Sequence, residues 1–335
     1  MKREATHEWT PDEIRALIHS YQSGAVLAAA AELDLFSPLS QAPLTARALA
    51  RRIGCDLRAL TALLDALAAL GILEKRDGLY SPSPGVADVL TPKGAHTGLA
   101  MAQHHANCMR NWTQIARVVK TGHPADRSPS IRGAEGDRAA FIGAMDNTSA
   151  PVADAVVRRV QPLRFRQLLD IGGASGTWTL AFLRACPSAT AVLFDLPPVI
   201  PMAASRVAAA GMSDRVRLVP GDFSCDPLPA GADLAWVSAI VHQNSRAQNR
   251  ELFGKVFSAL VPGGRIAIRD MVMDETRTRP FSGALFAINM LVATEGGGTF
   301  TFNELREDLE AAGFSHAAVA FQDEGMSSIV IAERS

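Results

Sequence analysis

The stretch Gln-Leu-Leu-Asp-Ile-Gly-Gly-Ala-Ser-Gly, residues 167–176, decides how the rest of the chain is read. Its apolar run, Leu168, Leu169 and Ile171, has the length and branching of a buried strand, and the glycines after it open a helix rich in Leu and Ala. Gly172, Gly173 and Gly176 let a ligand approach the backbone closely, and the helix beyond them begins with N–H groups that have no intrahelical partner. A lone Gly-x-x-Gly also occurs as a plain structural turn in a βαβ unit. Charge separates the two readings. Asp170 precedes the glycines, Asp195 ends the next apolar run (Ala-Val-Leu-Phe-Asp, 191–195), and Asp222 follows the third (Val-Arg-Leu-Val-Pro-Gly-Asp, 216–222).

If these runs are parallel neighbours, three carboxylates gather at the C-terminal edge of one sheet, where open α/β sheets bind ligands. Such an edge repels a pyrophosphate and welcomes a cation that carries a ribose. Asp195 is suited to grip ribose hydroxyls, and Asp222 with Phe223 to flank an adenine. S-adenosylmethionine (SAM), a sulfonium, fits this pattern better than NAD.

At 335 residues and 48% apolar content the chain has room for two domains with real cores. A net charge of −1 offers no bulk attraction for nucleic acid or an anionic membrane. The opening residues, Met1 to Trp9, contain no apolar core of a signal peptide, and no uncharged apolar run reaches the ~20 residues of a spanning helix. Cys55, Cys108, Cys186 and Cys225 follow neither metal-ligand nor disulfide spacing. Reduced thiols in a cytoplasmic protein without a metal site are the expectation.

Upstream, Thr10-Pro11-Asp12-Glu13 is a capping box with proline at the first helical position, and Ile14, Leu17, Ile18 and Tyr21 recur at helical spacing. The Ala-rich stretch 25–31 suits close helix packing, including across a subunit interface. Thr45 caps a short helix to Ile53, and Asp56 caps another with Leu57, Leu60, Leu64 and Leu67 on one face. Ile72–Lys75 and Leu79–Ser81, joined around Asp77-Gly78, read as a hairpin. Helix, helix, hairpin is the order of a winged helix. The candidate recognition helix, Leu57–Leu70, offers only Arg58, Thr61 and Asp65 as polar groups, so a structural or dimerising wing is favoured over a DNA reader.

Residues 96–160 read as helices, with Met101, His104, His105, Cys108, Met109 and Trp112, then Phe141 and Met145, as core or as a ligand wall between two domains. Thr121–Asp137 reads as a flexible crossing loop. Beyond the first three strands, Leu234–Ile240 is strand four and Arg265–Asp270 strand five, after a turn at 261–264. His316–Phe321 and Ser327–Ala332 can close the sheet as a hairpin. The fold class is therefore α/β, doubly wound and Rossmann-like, behind a mainly helical N-terminal domain.

The motifs Leu-Asp-Ile-Gly-Gly-Ala-Ser-Gly (169–176), Phe-Asp-Leu-Pro-Pro-Val-Ile (194–200), Gly-Asp-Phe (221–223) and Leu-Val-Pro-Gly-Gly-Arg (260–265) resemble those of small-molecule SAM-dependent O-methyltransferases. These are the enzymes typified by plant caffeate and acetylserotonin O-methyltransferases and their bacterial natural-product relatives. The resemblance implies a winged-helix dimerisation domain over 1–95, a helical segment over 96–160 that contributes to the substrate pocket, and a SAM-binding methyltransferase domain over 161–335. It places Asp170, Gly172, Gly173 and Gly176 on the SAM turn, Asp195 on the ribose and Asp222 with Phe223 beside the adenine, and Leu196 and Ser238 are expected with them. His242 falls on the family's catalytic base and Asp270 on the acid that orients it.

The implied acceptor is a small, aromatic hydroxylated metabolite, held by His104, His105, Met109, Trp112, Phe141, Met145, Phe286, Asn289 and Met290. S-adenosylhomocysteine is the implied by-product, and a homodimer that swaps N-terminal helices the implied assembly. Two departures stand out. The family reads His-Asp-Trp where this chain has His242-Gln243-Asn244, and most plant members have a glutamate soon after the Gly-Gly where it has Gly296-Gly297-Gly298-Thr299-Phe300, Glu295 lying before the glycines. These departures leave room for C-methylation, or for hydroxylation, decarboxylation or cyclisation on the same fold. A SAM-sensing winged-helix regulator is the alternative of another class.

Overall fold

The computed structural model describes residues 7–335, so the first residues read for a leader lie outside it. The chain forms two compact units, one running up to Arg110 and taking in Ser128–Asn147, the other made of Asn111–Arg127 and Thr148–Ser335.

In the N-terminal unit the expected caps are all present. Thr10 and Glu13 close a capping box on helix Pro11–His19, Thr45 caps Ala46–Ile53, and Asp56 caps Leu57–Ala69. Leu73–Arg76 and Leu79–Pro82 form the hairpin, and a short strand, Leu44–Thr45, adds to its edge, completing a wing. Leu35, Phe36, Leu49, Leu60, Leu64, Leu67 and Tyr80 fill the core between helices and wing.

Ala30 and Ala31 are fully buried and residues 25–29 half-buried, so the Ala-rich stretch packs closely and the most open apolar surface lies before it. That surface belongs to helix Pro11–His19, which buries none of its residues. Its apolar stripe, from Trp9 through Ile14 and Leu17 to Ile18 and Tyr21, is exposed by 42–62%. The stretch read as a crossing loop is shorter than expected. The helix Gly133–Ser149 begins inside it, after Ser130 has secured the Asp137 carboxylate with both its N–H and its hydroxyl.

The second unit is built on a seven-stranded sheet: β1 (Gln167–Ile171), β2 (Thr190–Asp195), β3 (Val216–Pro220), β4 (Ala232–Ser238), β5 (Leu260–Asp270), β6 (Ser315–Phe321) and β7 (Ser328–Glu333). Their order is β6-β7-β5-β4-β1-β2-β3, with β1 to β5 parallel and β6–β7 an antiparallel hairpin at one edge. The chain winds outward from β1 to β3, then returns to β4 on the other side of β1. The β1/β4 boundary is thus the switch point where doubly wound sheets open a ligand crevice.

β4 stops two residues before its expected end because Ala239 turns into the left-handed region at φ 56°. β5 instead starts early, pairing through the 260–264 stretch.

Alternation along the strands feeds two cores. Leu169 and Ile171 face α3 (Arg246–Ala259) and α5 (Phe302–Ala311), which contribute Leu252, Phe253, Val256, Leu305 and Leu309. On the other face Leu168, Leu193 and Trp236 pack under α1 (Thr177–Ala185) with Trp178 and Phe182, and against Val207 of α2 (Ile200–Ala209). Arg246 and Arg250 of α3 converge on Asp308 of α5 at 2.6–2.9 Å, and Asp308 is 1% exposed. Because α3 follows directly on the segment after β4, this clamp fixes where that segment ends.

Replacing Asp308 with Ala is expected to cost about 1–3 kcal/mol in denaturant unfolding, less than a fully buried broken pair because both arginines keep contact with water. An unchanged midpoint would remove the clamp from the account.

Candidate active site

All three acids reach the same edge of the sheet. β1 lies beside β2 and β2 beside β3, with Asp170 opposite Leu193 and Asp195 opposite Pro220, and Asp222 follows β3. Between them runs the glycine turn. Gly172 takes φ +64°, which favours glycine, and a Cβ there would stand 2.8 Å from the Ile240 side chain just beyond β4. Ala174 N–H and Leu196 N–H each donate to one oxygen of Asp195, both at 2.7 Å. The carboxylate is therefore fixed in place with lone pairs to spare for a diol. Burial holds its pKa above the usual carboxylate range.

Asp170 is 1% exposed, accepts from the Thr179 hydroxyl at 2.5 Å and has no cationic partner among the described residues. Burial, with Asp195 nearby, raises its pKa to about 7. Asp222 differs. Its carboxylate is taken up by the N–H and hydroxyl of Ser224, which lowers its pKa, while Phe223 packs on the core below. Leu196 is exposed, and Ser238 is half-buried at the end of β4. A glycine-rich turn, a fixed carboxylate and a buried acid without a counter-ion among the described residues suit a cationic nucleoside and not a pyrophosphate. The donor set fits SAM.

The second cluster lies one strand further on. β4 and β5 pair with Ser238 opposite Arg269, which puts Asp270 beside the short turn Val241–Gln243 that carries His242. His242 Nδ1 stands 2.8 and 3.0 Å from the two oxygens of Asp270, and the residues are 6% and 1% exposed. Met271 N–H also donates to Asp270 at 2.7 Å. An ionised carboxylate only accepts, so in the neutral imidazole Nδ1 carries the proton and Nε2 keeps its lone pair. The Phe286 ring meets the imidazole edge-on at 4.9 Å between centroids.

The departures from the family pattern have structural roles. Gln243 donates to the Ala239 carbonyl, Asn244 to Asn249, and the fully buried Asn249 to the Val241 carbonyl, so together they tie the histidine turn to β4 and α3. The glycine run braces it from the other side. Gly298 N–H donates to the His242 carbonyl at 2.9 Å, and a Cβ on Gly297 would stand 2.5 Å from that oxygen. Glu295 is exposed and lies outside this packing. Asn249 was missed by sequence reasoning. Only its place four residues into the helix after the Ser245 cap hints at it.

On α4 (Phe281–Ala293) Phe286, Asn289 and Met290 share a face by their spacing, and Trp112 Nε1–H donates to Asn289 Oδ1 at 2.9 Å. His242, Phe286, Asn289, Met290 and Trp112 thus all belong to the sheet unit. The remaining acceptor candidates, His104, His105, Met109, Phe141 and Met145, belong to the N-terminal unit. There His104 meets the Phe141 ring at 5.3 Å and Cys108 Sγ at 3.5 Å, and burial lowers its pKa.

Asp170 predicts a pH signature. A carboxyl that titrates at about 7 when folded and near 3.8 when unfolded binds more protons in the folded state between those values. Its contribution is full below about pH 4 and is lost as the pH rises through 7, up to about 4 kcal/mol in all. Asp170→Asn should remove that loss, so the stability gap between pH 5 and pH 8 should narrow in denaturant melts. Parallel profiles for the two proteins would contradict it.

The family model for the O-methyltransferase domain matches residues 127–315, and that for the O-methyltransferase dimerisation domain matches 16–93. The chain is 32% identical to 3-hydroxy-5-methyl-1-naphthoate 3-O-methyltransferase of Streptomyces sahachiroi, over 91% of this chain and 90% of the relative. It is 31% identical to the tetracenomycin polyketide synthesis 8-O-methyltransferase TcmO of Streptomyces glaucescens, over 92% and 93%. Human N-acetylserotonin methyltransferase, solved in complex with SAM, shares the fold at a TM-score of 0.83 and 24% identity, over 99% of both chains. With the glycine turn, the strand-end acids and the His–Asp pair in place, the chain belongs to the SAM-dependent O-methyltransferase family.

Proposed function

We propose that this enzyme methylates a hydroxyl of a small aromatic metabolite and that His242 is its general base. The observation that carries the reading is the buried His242–Asp270 pair, which leaves Nε2 as a proton acceptor at the C-terminal edge of the sheet. SAM supplies a methyl group on a positively charged sulfur. The chain's part is to place an oxygen nucleophile in line with it and remove the proton. A phenol with a pKa near ~10 is a poor nucleophile at neutral pH, and imidazole near ~6.5 is matched to take its proton as the bond forms. Asp270 fixes the tautomer beforehand and stabilises the imidazolium afterwards.

Asp195 takes the ribose hydroxyls and Phe223 with Asp222 flanks the adenine, over the turn Gly172–Gly176. Phe286 and Met290 offer apolar surface to an aromatic ring. Asn289, whose Oδ1 is occupied by Trp112, has its amide N–H groups left to orient a second oxygen on that ring. In sequence, 1–95 serves dimerisation, 96–160 is a helical segment contributing acceptor contacts, and 161–335 carries the donor site. The exposed stripe Ile14, Leu17, Ile18 and Tyr21 is the surface a second copy covers, continuous with a region that matches a dimerisation domain. The four cysteines are free, the state thiols keep in the cytoplasm.

His242→Gln should lower turnover of a phenolic acceptor by ~10²-fold or more, while SAM affinity measured by calorimetry barely changes. Asp270→Asn should cost less, and Asp195→Ala should weaken SAM binding strongly without unfolding the protein. Wild-type turnover in His242→Gln would defeat the base assignment. Product without accumulating S-adenosylhomocysteine would point to non-methylating chemistry on this fold. For the assembly, Leu17→Glu with Ile18→Glu should turn a dimer into a monomer in sedimentation. A dimer that survives both charges would place the interface elsewhere.

A further inference from the structure

One buried cation near the donor site takes no part in the mechanism above. Arg269 lies opposite Ser238 on β4 and Ile329 on β7, one residue before Asp270. Because side chains alternate along a strand, it occupies the face opposite Asp270. It is 2% exposed. Nη1 donates to Ser238 Oγ at 3.2 Å, Nη2 to Ser327 Oγ at 3.4 Å, and the guanidinium lies 4.6 Å from the centre of the Trp178 ring. Nε has no acceptor among the described residues. Among the described residues no carboxylate is ion-paired with it, and Asp270 and Asp323 act only at longer range. Burial lowers its pKa to about 10, so it stays charged at neutral pH.

A guanidinium held in a dry core by two neutral hydroxyls and an aromatic face is poorly compensated, and natural cores rarely keep such a charge without a counter-ion. Its place suggests the counter-ion. Arg269 sits at the C-terminal edge of the sheet, and Trp178 belongs to the first turn of the helix that follows the glycine turn. Ser238 is half-buried at that edge, and since its oxygen accepts from Arg269, its own O–H is available to donate outward. SAM carries a sulfonium, an ammonium and a ribose, all suited to the acids of this edge. It has a single anionic group, the carboxylate of its methionine tail.

We propose that Ser238 and Arg269 together recognise the methionine carboxylate of SAM, the Ser238 hydroxyl donating to it and Arg269 acting from behind as a positioning residue that supplies the charge. The proposal rests on the SAM site assigned above.

The test compares two nucleosides that differ in the tail: S-adenosylhomocysteine, which has the carboxylate, and 5′-methylthioadenosine, which lacks it. Each is titrated calorimetrically into the wild-type protein and into Arg269→Leu, Arg269→Lys and Ser238→Ala. Arg269→Leu should weaken S-adenosylhomocysteine by about tenfold to a hundredfold, through the lost counter-charge and the lost orientation of the Ser238 hydroxyl, and leave methylthioadenosine within about twofold. Arg269→Lys should recover part of the loss, and Ser238→Ala should show a smaller loss with the same tail dependence. The free Arg269→Leu protein should melt no lower than wild type, since an apolar group replaces an uncompensated charge.

Equal losses for both nucleosides, or none for either, would overturn the proposal. So would a tail-specific loss confined to Arg206→Met, titrated alongside because the Arg206 guanidinium reaches Ser175 in the glycine turn at 2.9 Å. Should Arg269→Leu fail to fold, Ser238→Ala decides by the same comparison. Wild-type protein that binds neither nucleoside would refute the donor site itself, which is a separate result.

Discussion

The hydrogen bond between His242 and Asp270 is the interaction on which the rest of this site depends. It exists because β4 and β5 run parallel with Ser238 opposite Arg269, so that the last residue of β5 meets the turn leaving β4. Neither partner tolerates its environment alone. A buried carboxylate without a donor and a buried imidazole without an acceptor would each cost more than the fold can spare. The surrounding structure is arranged to keep them together. Ala239 accepts a left-handed backbone to send the chain inward, Asn249 and Gln243 hold the turn's carbonyls, and the 296–298 glycines press against it from outside. What remains free after all this is Nε2, the atom on which the proposed proton removal rests.

The donor side works through charge. Three strand-end acids make an edge that selects a cation, but each has a different local state. Asp195 is fixed by two backbone donors, Asp222 is tied to its own turn, and Asp170 is a buried acid with a pKa near the middle of the physiological range, raised to about 7. A cationic ligand that arrives near Asp170 favours its ionised form, so binding and ionisation are linked. Arg269 is the complementary case, a buried cation at the same edge of the sheet.

Much of this was legible in the sequence, for reasons that can be stated. The order of strands, the glycine turn and the three acids follow from local periodicity and punctuation. So do the caps at Thr10, Thr45 and Asp56, because capping chemistry is set within four residues. What could not be read was long-range. That Ala30 and Ala31 are buried while Ile14, Leu17 and Ile18 are open depends on which helix the core accepts, not on either helix's own pattern. The early start of the Gly133–Ser149 helix depends on Ser130 meeting Asp137, and the end of β4 on the backbone of Ala239. Gln243 and Asn244 looked like departures from a catalytic pattern. Their partners, Ala239 and Asn249, show them to be braces.

The central claim is that His242 removes the acceptor's proton. The most direct measurement is the rate of methyl transfer to a series of substituted phenols whose pKa values span the assay pH, for wild type and His242→Gln side by side. The account predicts that the deficit of the variant is large for weakly acidic phenols and shrinks towards nothing for those already ionised, because they need no base. A deficit of the same size across the whole series would contradict it and reduce His242 to a residue that shapes the site.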